Sequence, residues 1–303
     1  MKLFAHGKLL LTAEYLVVKG AKALAIPTRV GQHLEVKEST GSELNWKSLD
    51  HEGKEWFSAK FDLLGFDCMK TSDEEIAERL RKILRAVCND NSDFLSKWKK
   101  YKVTTRLDFP REWGLGTSST LIYLLSTWAE ANPFLVYFDV FDGSAYDIAC
   151  ADADGPLLYE FNGESIHFES VDWAPKYLDN LYLIFLGQKQ DSALSLKDFL
   201  KKKIRKADIC EATTLTENFI SAHDIETCDE IINEHEQKMS EWIGQSSLMC
   251  ERFSDYWGKI KSLGAWGGDM ALVTSRRDPE ETKNYFKDKG ITYMTPFKDM
   301  VLL

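Results

Sequence analysis

Two glycines and three hydroxyl residues stand together in the segment 114–119, immediately before an apolar run that predicts a helix. Glycine lets the backbone approach a ligand closely, and the first turn of a helix offers unpaired N–H groups at the positive end of its dipole. Such a loop suits a phosphate group, and its hydroxyls could also bind Mg²⁺. A helix cap is the alternative, but one hydroxyl is enough for a cap, so we favour a phosphate site.

Lys8 and Glu14 form a second candidate pair near the start of the chain. Lys8 follows Gly7 and enters an apolar run, where a lysine needs an anionic partner or lies at a strand edge. Glu14 has the same parity as Lys8 along an extended strand, so both side chains could face one cleft.

Two further loops carry residues that could contact a substrate. Asp147 follows the Gly143–Ser144 turn and precedes an apolar segment, so it could cap a helix, accept a hydroxyl proton or pair with Lys8. Gly264, Gly267 and Gly268 precede a strand, which fits either close ligand approach or an ordinary tight turn.

Several common nucleotide motifs are excluded. The loop at 114–119 lacks the Lys-Ser/Thr pair of a Walker A sequence. It is also a poor dinucleotide fingerprint, because Ser119 occupies the position of the third glycine and the loop lies in mid-chain.

The composition is that of a globular protein, with 44% apolar and 28% charged residues. The net charge of −10 argues against a general nucleic-acid or membrane-surface binder. The six cysteines form no C-x-x-C pair, so we expect reduced thiols rather than zinc sites or disulfides. No long apolar run occurs, and we predict a cytoplasmic protein without a membrane partner.

The hydrophobic patterns predict an α+β protein. Residues 3–36 resemble two or three strands with turns at Gly7, Gly20 and Gly31. Helical spacing runs from Ile76 to Val87, and alternation predicts a strand at 101–109. The first half is rich in strands and the second in helices, so we expect two domains, 1–172 and 173–303.

Four segments, taken in order, resemble motifs of the GHMP kinase superfamily, which includes galactokinase, homoserine kinase, mevalonate kinase and phosphomevalonate kinase. The segments are "GKLLLTAEYLVVKGAKALAIP", "PREWGLGTSST", "GSAYD" and "GAWGGD". Within the superfamily, the first segment is most similar to the mevalonate and phosphomevalonate kinases, and its Glu-Tyr pair leans toward the latter.

The resemblance implies a fold and a set of roles. It implies an N-terminal domain like ribosomal protein S5 domain 2 and a ferredoxin-like C-terminal domain. Asp147 and Lys8 become catalytic residues, and Thr117 becomes a Mg²⁺ ligand. Glu14, Ser144, Gly264, Gly267 and Gly268 are expected to contact the substrate. The residues that hold ATP are expected to be Gly114, Leu115, Gly116, Thr117, Ser118 and Ser119.

Departures from the family pattern leave alternatives open. Trp266 stands where the third motif has a glycine, and no clear counterpart of a second metal-binding glutamate occurs, although Asp139 and Asp142 are nearby acids. We expect an ATP-dependent kinase for a small acidic metabolite, most simply mevalonate or phosphomevalonate, acting as a monomer or homodimer. The alternatives are a non-catalytic nucleotide- or metabolite-binding protein and an ATP-dependent decarboxylase of the same fold.

Overall fold

The computed structural model describes residues 1–97, 99–187, 192–264, 266 and 269–303, and for residues 192–195 it describes the backbone only. The chain forms two compact units. The first comprises Met1–Gly7, Val30–Arg111 and Leu115–Asp152, and the second comprises Lys8–Arg29, Glu112–Gly114 and Ala153–Leu303. Both units contain parts of the two N-terminal strands, so no single position in the sequence divides one unit from the other. Residue 172, after which we expected the domain boundary, lies inside the second unit.

The first unit is built on a mixed sheet. Its strands are β1 (Lys2–Leu10), β2 (Ala23–Ser39), β3 (Glu43–Leu49), β4 (Glu55–Asp62), β5 (Cys68–Thr71) and β6 (Lys100–Leu107), of which β1 and β2 continue into the second unit. The order is β5-β4-β3-β6-β2, with β1 also paired to β2. The β3–β6 pair is parallel, and the other pairs along this order are antiparallel.

The alternation of buried and exposed residues predicted one of these strands, but the glycine positions misled the prediction of two others. Strand β6 buries alternate residues, which confirms the strand predicted from its pattern. Gly7 and Gly31, in contrast, lie inside β1 and β2, so the prediction of turns there was wrong. A Cβ at Gly31 would lie 2.6 Å from the Phe4 ring, so this glycine permits close packing of two strands. Of the three glycines predicted to turn the chain, Gly20 is the one that does so, with φ of 101° after a short 3₁₀ helix.

Four helices pack in the first unit: α1 (Glu74–Asp90), α2 (Thr117–Ala129), α3 (Pro133–Val140) and α4 (Tyr146–Cys150). Asp73 caps α1 by accepting a hydrogen bond from the Ile76 amide at 3.0 Å, and α1 buries Leu80, Leu84 and Val87 as the spacing predicted. Helix α2 contacts α1, α3 and α4. Helix α4 therefore packs against the helix that follows the loop at 114–119.

The second unit contains a hairpin and a separate antiparallel sheet. Strands β7 (Leu157–Phe161) and β8 (Ile166–Ser170) pair, and β7 also pairs with the first residues of β2. The separate sheet has the order β10-β11-β9-β12, from β9 (Leu181–Phe185), β10 (Ile260–Ser262), β11 (Met270–Thr274) and β12 (Met294–Pro296).

Helices complete this mixed α+β unit. They are α5 (Ser192–Leu200), α6 (Lys206–Ser221), α7 (Ile225–Ile243), α8 (Leu248–Glu251), α9 (Pro279–Asp288) and α10 (Phe297–Met300). The core at one side of the sheet includes Ile184, Phe253, Val273 and Phe286, which have no exposed surface. Within the described residues, no helix has both the length and the apolarity needed to span a bilayer.

Candidate active site

Residues 114–119, here called the glycine loop, lead into the N-terminus of α2, which no side chain caps. Gly114 and Gly116 have φ of 68° and 88°, a region that strongly favours glycine. Helix α2 starts at Thr117, and no side chain caps it at Gly116. Thr120 donates its amide to the Gly116 carbonyl at 3.0 Å, so the amides before it are the ones that a helix start leaves without an intrahelical acceptor. This arrangement suits an anionic ligand.

The hydroxyls of this loop divide into buried and accessible ones. Ser119 is buried and donates to the Gly116 carbonyl at 2.9 Å. Thr120 is also buried and lies 2.6 Å from Gln32 Oε1. Leu115 has no exposed surface and anchors the loop in the core. Thr117 is partly exposed and Ser118 is exposed, so these two hydroxyls are the ones that a ligand can reach.

Lys8 and Asp269 both contact Gly114, and all three belong to the second unit. Lys8 Nζ donates to the Gly114 carbonyl at 2.9 Å. A Cβ at Gly114 would lie 2.6 Å from Asp269 Cγ, and Asp269 is only 6% exposed. The predicted site residues did not include Asp269, although it ends the third glycine-rich segment, and that position is the sequence signal that points to it.

Asp147 lies in the first turn of α4, as its position after a Gly-Ser turn predicted. It is partly exposed, and its Oδ1 accepts from the Ile148 amide at 3.2 Å. The turn before it is tight, because Ala145 adopts φ of 59° and a Cβ at Gly143 would lie 2.5 Å from Tyr137 Oη. Ser144 is only 3% exposed. Asp147 belongs to the first unit and Lys8 to the second, and their pairing stays a prediction.

Glu14 differs from the expectation that it faces a substrate cleft. Strand β1 ends at Leu10, and positive φ values at Ala13 and Tyr15 turn the chain, so strand parity does not extend to Glu14. The Glu14 side chain has no exposed surface and forms an ion pair with Lys261. The side chain is therefore buried against Lys261 in this structure, and its contact with a substrate stays a prediction.

The third glycine segment is described only in part. Gly264 has φ of 65°, and a Cβ there would meet nothing within 4 Å. Trp266 is 4% exposed and donates from Nε1 to Glu236 Oε1 at 3.4 Å. Gly267 and Gly268 lie outside the described residues.

Acidic side chains do not form an obvious metal centre in the described part of the chain, where no group of three His, Cys, Asp or Glu residues could hold a metal ion. Asp139 and Asp142 are exposed. Mg²⁺ at a phosphate site commonly keeps several waters and takes only one or two protein ligands, the rest coming from substrate phosphates.

One other concave surface lies on the β7–β8 hairpin. It is a shallow groove of about 460 Å³ lined by Lys22, Leu158, Phe168 and neighbouring residues. None of the predicted site residues lines it, so the glycine loop is the better candidate for phosphate chemistry.

No protein-family model matches the chain, and no curated protein sequence matches it. Solved structures do match over nearly the whole length. The mevalonate kinase of Methanococcus jannaschii is 14% identical, with a TM-score of 0.71 over 97% of this chain and 96% of that one.

Two further matches come from other branches of the same superfamily. The phosphomevalonate kinase of Streptococcus pneumoniae, in complex with phosphomevalonate and AMPPNP, is 15% identical with a TM-score of 0.73, covering 97% of this chain and 99% of that one. The galactokinase of Lactococcus lactis, complexed with galactose, is 10% identical with a TM-score of 0.71, covering 100% and 93%. At these identities the likeness concerns the fold, and the chain therefore has the α+β fold of the GHMP kinases that its sequence motifs predicted.

Proposed function

We propose that this protein is an ATP-dependent kinase that transfers the γ-phosphoryl group to a small acidic metabolite. The observation that carries the proposal is the loop at 114–119, where two left-handed glycines present an uncapped helix start and Lys8 contacts the Gly114 carbonyl. The fold supports it, since similar structures include mevalonate kinase and a phosphomevalonate kinase bound to AMPPNP.

The loop fits the phosphates of ATP. The first-turn amides of α2 would donate to phosphate oxygens, and the helix dipole would favour their negative charge. Gly114, Gly116, Thr117 and Ser118 are the loop positions with exposed surface. Leu115 and Ser119 would act from beneath the loop, because one fills the core and the other bonds the Gly116 carbonyl.

The same loop fits Mg²⁺ bound mainly through nucleotide phosphates. The accessible Thr117 hydroxyl is our candidate protein ligand, and bound Mg²⁺ would neutralise charge on the phosphates. Asp269 is a candidate for a further acidic group at this site, since its carboxyl group lies against Gly114.

Asp147 and Lys8 would serve the transfer itself. Phosphoryl transfer asks a protein mainly for positioning and for stabilisation of charge. Asp147 would orient the acceptor oxygen or accept its proton as the oxygen–phosphorus bond forms and the bond to the leaving ADP breaks. Lys8 would stabilise negative charge on the transferred group and favour the ionised form of Asp147.

Mevalonate or phosphomevalonate is the acceptor that we favour. The first sequence motif is most similar to those branches, and both branches occur among the similar structures. Ser144 and the third glycine segment, with Gly264 as its described member, remain our proposed substrate contacts. The burial of Ser144 would limit its role to shaping the turn or to a contact through one exposed edge.

The test is ADP release with mevalonate, phosphomevalonate, homoserine and several sugars, with Asp147→Asn as the matched control. We expect ADP release that depends on one of the two mevalonate compounds. Activity on sugars alone would overturn the isoprenoid assignment, and release of CO₂ with ADP would identify a decarboxylase. ATP binding without turnover on any acceptor would identify a non-catalytic binding protein.

A further inference from the structure

A buried group of ionisable side chains lies in the second unit, and the proposed catalytic roles do not use it. Glu14, His235, Glu236 and Lys261 come from the turn after β1, from α7 and from β10. Their side chains are 0%, 2%, 5% and 0% exposed. Charged groups rarely occupy such positions without compensation, because removal from water costs several kcal/mol per ion.

Lys261 is the centre of this group. Its ammonium forms an ion pair with Glu14 Oε1, lies 3.8 Å from Glu236 Oε1 and donates to the Ser262 carbonyl at 3.2 Å. Glu14 is therefore its closest charge partner, and Glu236 is a second, longer one.

His235 does not add a positive charge. Its Nε2 accepts a hydrogen bond from the Ala13 amide at 3.1 Å, so that nitrogen carries no proton. The 3.3 Å approach of Nε2 to Glu14 Oε2 is consequently a contact between two acceptors rather than an ion pair. Burial and the Lys261 ammonium hold the pKa of His235 well below its ordinary range. The imidazole thus fixes the Ala13 turn in its neutral form.

Two carboxyl groups then share one ammonium. Burial raises the pKa of Glu14, while Lys261 opposes that rise. Burial raises the pKa of Glu236 to about 7, Lys261 opposes the rise and Glu14 adds to it. Since Glu14 contacts Lys261 directly, Glu236 is the group that holds a proton near neutral pH.

The group connects two segments that both reach the glycine loop. Glu14 follows β1, the strand that carries Lys8. Lys261 lies on β10, which pairs with β11, and β11 begins at the residue after Asp269. Lys8 and Asp269 both contact Gly114. Trp266, three residues before Asp269 in the sequence, donates its indole N–H to Glu236.

We propose that Glu14, Lys261 and Glu236 are positioning residues, which hold the strand of Lys8 and the segment of Asp269 in register so that both meet Gly114. This positioning role rests on the proposed function, because it concerns the phosphate loop. Loss of Lys261 would leave Glu14 and Glu236 without their cation, and loss of Glu14 would leave Lys261 with only its longer contact to Glu236, whereas loss of both Glu14 and Lys261 would remove the buried ion pair.

A double-mutant cycle tests the ion pair. The variants are Glu14→Gln, Lys261→Met and the pair together, and the readouts are the dissociation constant of a fluorescent ATP analogue and the thermal unfolding midpoint. We expect each single change to weaken binding at least about tenfold and the double variant to recover most of that loss. A matched control is Asp229→Asn, since Asp229 is a buried carboxylate on the same helix α7 that bonds Thr274 and Arg276. It should lower the midpoint while leaving nucleotide binding unchanged.

Glu236→Gln provides a milder variant that keeps an acceptor for Trp266. At pH 6 the Glu236 carboxyl group of the wild type is protonated, so the wild type and the variant should have similar dissociation constants. By pH 8 that group is ionised, and the dissociation constant of the wild type should rise relative to that of the variant. Nucleotide binding by the Glu14, Lys261 and Glu236 variants that matches the wild type at both pH values would overturn the positioning role and leave the kinase proposal intact. A wild type that binds no ATP analogue would overturn the kinase proposal and the positioning role with it.

Discussion

Replacement of Gly114 by alanine perturbs the glycine loop at its most constrained point. The residue has φ of 68°, which an L-residue adopts only with strain. The added methyl group would also lie 2.6 Å from Asp269 Cγ and 2.9 Å from Asp269 Cβ, closer than real Cβ contacts come. Either the loop or the Asp269 segment must shift.

The expected magnitude follows from these two effects. A left-handed conformation costs an alanine about 1–2 kcal/mol, and insertion of a methyl group into a packed site costs about 1–3 kcal/mol more. We therefore expect Gly114→Ala to lower the free energy of unfolding by at least about 2 kcal/mol. A shift of the loop amides that costs the bound phosphates about 1.4 kcal/mol would weaken ATP binding about tenfold.

Urea unfolding and titration with an ATP analogue measure both effects. Gly290→Ala is the matched control, because Gly290 has φ of 84° and a Cβ there would meet nothing within 4 Å. The control should show the backbone cost alone and bind nucleotide normally. If Gly114→Ala is as mild as Gly290→Ala and binds the analogue equally well, the inference that this loop is tightly packed around a phosphate site is wrong.

Three further changes have defined outcomes. Asp147→Asn should lower kcat by about 10²–10⁴ with little change in ATP affinity, and near-normal turnover would remove Asp147 from the mechanism. Thr117→Ala should raise the Mg²⁺ concentration needed for half-maximal activity. Thr127→Ala should leave it unchanged, because Thr127 is an exposed residue near the other end of α2 whose hydroxyl donates to the Tyr123 carbonyl. Glu236→Gln tests the pH dependence of stability. Because the pKa of Glu236 in the folded protein is raised to about 7, the free energy of unfolding of the wild type should fall by up to about 3 kcal/mol relative to that of the variant as the pH rises from about 4.5 through 7. Parallel pH profiles of the unfolding free energy would refute that assignment.

Local sequence patterns predicted much of the fold. The alternation in β6 and the helical spacing in α1 are properties of neighbouring residues, so each could be recognised without the rest of the chain. The conformation of the glycine loop could also be predicted locally, since two glycines before a helix indicate positive φ, as found at Gly114 and Gly116.

Patterns failed where a distant segment decides the structure. Gly31 was expected to turn the chain, but it lies in a strand because the Phe4 ring packs against it.

In the candidate site, too, contacts between residues far apart in the sequence could not be predicted from local patterns. Lys261 lies 247 residues from Glu14 in sequence, and no spacing rule connects two such residues. The complete burial of Glu14 against Lys261 could therefore not be read from the sequence around either residue. Asp269 directly precedes β11 and lies against Gly114, and no local sequence pattern connects these two residues.

Transfer of labelled phosphate tests the central claim most directly. The protein would be incubated with γ-labelled ATP, Mg²⁺ and, separately, mevalonate, phosphomevalonate, homoserine and galactose. The account predicts that the label moves to one of the two mevalonate compounds and that Asp147→Asn suppresses the transfer. Label that stays on ATP with every acceptor, or transfer that is unaffected in Asp147→Asn, would contradict it.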